Sequence, residues 1–227
     1  MDLVIELVKA TASVLQPLII FGLLCLAFIL LNRYKASLSE TMAALGIKKV
    51  GFLGITAEFV ELRLEAAASI DPTDRSTGAE ETRLPVRDED KPEIRRTTER
   101  LGPLALGAHI LWFDYFPSNN LHERTAFTHL GIDVQTSRTK DVAMTELLDP
   151  SEKYHLFISY WGQRVKQQGP ELLKEIRSKK LAIPFLFYTS SERLEEKRIE
   201  ASTLGAQGVT ASPAELYRWV LTWLALR

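Results

Sequence analysis

The chain has 227 residues, a formal net charge of -1 and a single cysteine, Cys25. That balance offers no basic field for a nucleic-acid duplex and no acidic tail, and one cysteine excludes an intrachain disulfide framework. The length suits one medium domain with additions. The four histidines (His109, His122, His129, His155) stand at no metal-ligand spacing, so neither a metal nor another cofactor is expected.

Ala10 to Leu31 is uncharged throughout, and about 20 apolar residues cross the hydrocarbon core as a helix. Asp2 and Glu6 precede the run and no small-x-small site follows Leu31, which argues for a retained span over a cleaved signal. Arg33, Lys35, Lys48 and Lys49 follow it whereas Lys9 alone precedes it, so the C-terminal bulk is expected in the cytoplasm, beneath a single-pass inner membrane anchor. Residues 36–45 continue in a helical pattern to Gly46, completing a membrane and juxtamembrane region over 1–46. Residues 47–70 read as a short β-hairpin, strands 48–53 and 56–64, with Gly51 and Gly54 as turn residues. Residues 71–106 are crowded with charge, proline and threonine and read as a flexible linker, with a short helix conceivable over 93–100.

From 107 to 227 the pattern becomes regular. Strands are expected at His109–Phe113, Ile132–Thr136, His155–Tyr160, Pro184–Tyr188 and Gly208–Thr210. Helices are expected between them, ending at Gly131 and Gly205. Thr139 and Ser212 stand as N-caps, and Ser212-Pro213-Ala214-Glu215 forms a capping box. Strands alternating with helices of this length predict an α/β fold, a flavodoxin-like doubly wound five-stranded parallel sheet. Ligands of such sheets gather at the carboxyl ends of the strands, which here carry Asp114, Tyr160, Thr189 and Thr210.

The final half of the chain resembles a response-regulator receiver domain. Ile110-Leu111-Trp112-Phe113-Asp114-Tyr115 is similar to the first receiver strand, which ends in two acids. Leu156-Phe157-Ile158-Ser159-Tyr160 is similar to the third, which ends in the phosphoacceptor aspartate. Phe185-Leu186-Phe187-Tyr188-Thr189 resembles the fourth with its switch hydroxyl, and Gly208-Val209-Thr210-Ala211-Ser212-Pro213 resembles the fifth, where a Lys-Pro pair is usual. Of the chemistry that the resemblance implies, Asp114 alone remains. Tyr115 matches the second acid, Tyr160 the acceptor and Ser212 the lysine. One carboxylate is a poor Mg²⁺ site, so the resemblance implies a pseudo-receiver. Phe157-Ile158-Ser159-Tyr160 is also similar to the first box of a TIR domain, but two strand–helix units already precede it.

Asp114, Tyr115, Tyr160, Thr189, Thr210 and Ser212 are therefore the candidate ligand-binding residues of a strand-end pocket. Tyr217, Trp219 and Trp223 on the last helix are the candidate interaction surface. No nucleophile–base pair or paired acids appear, so no enzyme is expected. The expected function is a membrane-anchored, non-catalytic signalling or protein-interaction module of a prokaryote, assembled as a homo-oligomer and meeting an unidentified protein partner. The alternative is a ligand-gated membrane effector in antiviral defence, similar in architecture to single-span effectors with a Rossmann-like sensor of a nucleotide ligand. A thermal-shift screen with cyclic and linear oligonucleotides distinguishes the two.

Overall fold

The computed structural model of the protein describes residues 50–69, 83–162 and 168–227, with side chains of the first helix from Thr56 onward. The chain divides into two compact units, 1–51 and 52–227. The expected span 10–31 and the helix over 36–45 lie outside the described residues. Among the described residues no helix is long and apolar enough to cross a membrane.

Apolar runs make the central strands β1 (His109–Phe113), β3 (Leu156–Ser159) and β4 (Phe185–Tyr188), flanked by the more polar edge strand β2 (Asp133–Ser137) and the short β5 (Gly208–Thr210). All pair in parallel, in the order β2-β1-β3-β4-β5. That is the flavodoxin-like order, with the switch point between β1 and β3. Every residue of β3 and β4 is buried, as both faces of a central parallel strand must be when helices cover them. Gly131 and Gly205 take φ 74° and 82° just past two helices, the left-handed turn that glycine adopts without a Cβ penalty.

On one face Leu111, Phe113, Phe157, Phe185, Phe187 and Val209 meet α4 (Lys140–Leu148), α5 (Gln168–Ser178) and α6 (Leu194–Thr203). On the other, Ile110, Trp112, Ile158, Leu186 and Tyr188 meet α3 (Leu121–His129) and α7 (Pro213–Leu224). Two earlier helices add to this second face. Val60 and Leu64 of α1 (Val50–Ser69) and Ile94 and Ala105 of α2 (Lys91–Ala105) belong to the same continuous core.

These two helices correct two expectations. Residues 50–69 form one α-helix, not a hairpin. The stripe Ala57, Val60, Leu64 and Ala67 is buried, and three- and four-residue spacing places it on one helical side. Residues 91–105 are likewise helical, not a flexible linker. Their buried stripe is Ile94, Thr97, Thr98, Gly102 and Ala105, with Lys91 and Arg95 paired to Glu65 and Glu61 of α1 at 2.7 and 2.9 Å. Thr98 donates to the Ile94 carbonyl at 2.8 Å and shares a 2.8 Å hydrogen bond with Tyr217 of α7, so its polarity is satisfied inside the core.

Candidate ligand site at the strand ends

The chain leaves β1 through Asp114, which is buried. Asp114 Oδ1 accepts the Phe116 amide at 2.7 Å and Oδ2 accepts Asn120 Nδ2 at 2.6 Å. The carboxylate thus organises the turn from β1 into the 3₁₀ segment Pro117–Asn120 and on into α3. Asn120 passes the connection onward. Its Oδ1 accepts Arg83 Nη2 at 3.1 Å, while Arg83 Nη1 donates to the Thr189 carbonyl at 2.6 Å. The Arg83 guanidinium lies over the Tyr188 ring, 3.6 Å from its centroid, and the residue is only 4 % exposed. Tyr188 in turn donates its hydroxyl to Glu123 Oε1 of α3 at 2.6 Å.

Arg83 is the residue that sequence reasoning missed. It stands in the stretch read as linker, where charge is ordinarily solvated. The only signal available was its neighbourhood, Arg83-Leu84-Pro85-Val86, a small apolar island inside the charged run. Leu84 donates its amide to the Ala211 carbonyl at 2.9 Å, laying residues 83–86 as a strap across the end of β5.

The other expected site residues divide into two groups. Thr189 joins this network: its amide donates to the Thr210 carbonyl at 3.0 Å and its hydroxyl accepts Lys197 Nζ at 3.1 Å. Lys197 also reaches Ser190 Oγ at 3.2 Å, so α6 supplies a cation at the end of β4. Thr210 and Ser212 are taken up in starting α7. Thr210 donates to Glu215 Oε2 at 2.6 Å and accepts the Ser212 amide at 2.9 Å, and Ser212 Oγ accepts the Glu215 amide at 3.3 Å. The return arm of the capping box is therefore relayed through Thr210.

The two tyrosines face other tasks. Tyr115 donates its hydroxyl to Gln168 Oε1 at the start of α5, and burial pushes that phenol above its ordinary value, the Gln168 bond opposing and Glu171 adding. Tyr160 is buried, with its amide bonded to the Phe113 carbonyl at 3.0 Å. Tyr217 is not surface but core, fully buried and stacked on Phe127 with centroids 5.8 Å apart. Its expected role in an exposed interaction face is corrected on that ground; Trp219 and Trp223 are half-buried against the same core. The apolar character of α7 around its circumference is explained by α2 packing on it.

At the opposite end of the sheet a shallow cavity of about 370 Å³ opens beside Arg177, Lys180 and Gln207. Arg177 is spent there on the carbonyls of Leu181, Ile183 and Gly205 at 2.8–3.1 Å, a structural use. Among the described residues no three His, Cys, Asp or Glu side chains come together as a metal site.

No protein-family profile matches the chain, and no curated protein matches it. Solved structures do. The receiver domain of the Francisella response regulator 1452 matches at 20% identity over 53% of this chain and 98% of its own, with TM-score 0.45. The chemotaxis response regulator CheY4 of Vibrio cholerae matches at 20% identity over 51% and 98%, with TM-score 0.42. The non-phosphorylated HemR receiver domain of Leptospira biflexa matches at 20% identity over 53% and 96%, with TM-score 0.44. The receiver-like fold assignment rests on the strand order and parallel register of this chain itself.

Proposed function

We propose that the chain is a membrane-anchored pseudo-receiver, a non-catalytic signalling or protein-interaction module held at the inner membrane with residues 52–227 in the cytoplasm. One observation carries the reading. Asp114, the one acid at the receiver-like strand ends, is committed to the Phe116 amide and Asn120, and the chain's own Arg83 fills the crevice beside them. Tyr115, Tyr160 and Ser212 stand at the remaining positions, and a phenol or a serine hydroxyl at those points supplies neither a divalent-cation ligand set nor an acyl-phosphate acceptor. The uncharged run 10–31 supports the anchor. The half-buried Trp219 and Trp223 support association with a second copy.

The test uses the full chain. It is expected in the membrane fraction, resistant to alkaline extraction and cross-linking to itself. Acetyl phosphate with Mg²⁺ should add no acid-labile phosphoryl group, and beryllofluoride should leave its melting unchanged. Phosphorylation at any residue of the strand ends would overturn the pseudo-receiver reading. Stabilisation by a cyclic or linear oligonucleotide, together with membrane depolarisation, would replace it with the ligand-gated effector.

A further inference from the structure

The strand-end crevice is built for one chemical group. Arg83 offers a flat cation, and the crevice meets its face and both of its terminal nitrogens. The Tyr188 ring takes the face at 3.6 Å, and the Thr189 carbonyl and Asn120 Oδ1 take two edges at 2.6 and 3.1 Å. Two buried carboxylates stand behind these contacts, each one neutral group away. Asp114 holds Asn120 at 2.6 Å, turning its oxygen toward the guanidinium. Glu123 accepts the Tyr188 hydroxyl at 2.6 Å, which enriches the ring that the cation stacks on. Glu123 is 1 % exposed and its second oxygen, Oε2, has no hydrogen-bond partner among the described residues. A buried carboxylate left in this state favours a cation nearby. An ammonium offers neither the planar face nor the fork of donors.

The group that fills the crevice arrives on a thin support. Residues 83–86 lie across the end of β5 with Leu84 and Pro85 exposed, joined to the sheet by the Leu84 amide to Ala211 carbonyl bond and packed on the core through half-buried Val86. Surface segments with few backbone ties open locally at low cost relative to global unfolding.

We propose that this crevice is a guanidinium-binding site that Arg83 occupies in the resting chain, and that it takes a guanidinium from outside when the strap withdraws. The ligand class is an alkylguanidinium, free or as an arginine side chain. The position matches where doubly wound sheets place ligands, at the carboxyl ends of strands beside the switch point.

The experiment uses the full chain in detergent, as wild type, Arg83→Ala and, for control, Arg96→Ala at an exposed arginine of α2. Melting is followed with ethylguanidinium, ethylammonium or the blocked tripeptide Arg-Leu-Pro at millimolar concentration. Arg83→Ala should melt at least about 5 °C below wild type. Ethylguanidinium should recover much of that loss saturably and ethylammonium none, while wild type and Arg96→Ala, where the ligand must displace Arg83, should respond only well above the concentration that saturates Arg83→Ala. A tripeptide more effective than ethylguanidinium marks a polypeptide arginine as the natural source, and equal potency marks a small molecule. If Arg83→Ala does not fold, the same compounds are added during refolding, where recovery by guanidinium alone supports the site. Absence of any guanidinium-specific recovery, or an equal response of wild type, overturns it.

Discussion

His155 stands just before β3 with its ring turned back on β1: Nδ1 accepts the His109 amide at 3.0 Å, while the His155 amide donates to the His109 carbonyl at 2.9 Å. Burial, then Arg227, His109 and Lys153 in turn, hold its imidazole below the ordinary histidine range, with the His109 bond opposing. A depressed histidine means that the unfolded chain takes up the proton first as pH falls. The stability contributed by neutral His155 is complete above the unfolded value of about 6.5 and is lost as pH falls from there through the lower folded value. Wild type is expected to lose melting temperature between pH 7 and pH 5.5, and His155→Asn, which keeps an acceptor without titrating, should show a shallower slope. Identical slopes would remove the residue from the account. Nothing in the spacing of the four histidines foretold this contact, because it depends on β1 and β3 being neighbours.

The same dependence separates what the sequence exposes from what it conceals at the strand ends. Asp114 is legible, because it follows an apolar strand and precedes a run of turn residues. Arg83 is not, because its burial requires the 30 residues between it and Asp114 to return it to the same crevice. Composition assigns a charged residue to solvent unless its partners are known, and Tyr188, Asn120 and Thr189 come from two other segments.

At the scale of the element, period is the deciding property. The central strands declare themselves as short unbroken apolar runs, and their helices by caps that the structure keeps: Thr139 Oγ1 accepts the Val142 amide at 3.2 Å. The helix α1 was concealed by Gly51 and Gly54, which suggest turns, although Ala57, Val60, Leu64 and Ala67 carry the helical spacing further along. In α2 the stripe contains two threonines, and a buried threonine is hidden from any hydrophobic count until its partner is known. Tyr217→Phe should leave Thr98 with its Ile94 carbonyl bond alone and cost about 1 kcal/mol in urea unfolding, whereas no measurable loss would return that hydroxyl to a neutral role. The N-terminal end of α5 makes a stricter demand. Gly169 donates its amide to the Trp161 carbonyl at 3.1 Å, and a Cβ there would lie 2.8 Å from Phe187 Cε1 and 2.9 Å from the Trp161 carbonyl oxygen. Backbone oxygen cannot swing aside, so Gly169→Ala should destabilise by about 1–3 kcal/mol. The displaced α5 should also release Gln168 from Tyr115. Loss of the Gln168 bond, which opposes the effect of burial on the Tyr115 phenol, should move that phenol further above its ordinary value in a spectrophotometric titration.

At the scale of the molecule the five-unit sheet is not a self-sufficient domain. The face covered by α3 and α7 continues through Val60, Leu64 and Ile94, residues that precede the first strand and are all fully buried. Burying a side chain of that size contributes about 1.5–3 kcal/mol. Against a typical total of about 5–15 kcal/mol, losing three such residues removes a large share of what holds a domain folded. The loss extends beyond packing. Without α2, Tyr217 keeps a hydroxyl in an apolar face with no Thr98 to meet it, and without the strap Glu123 and Asp114 keep their burial without the Arg83 guanidinium. A fragment of residues 107–227 should therefore bind a hydrophobic dye, elute as aggregate and lack a cooperative melt. A fragment of residues 52–227 should melt in one transition as a compact species. The comparison is decisive because the first fragment retains every strand of the sheet. If it melted as sharply and as high as the longer one, α1, α2 and Arg83 would be appendages to a receiver-shaped core and not parts of it.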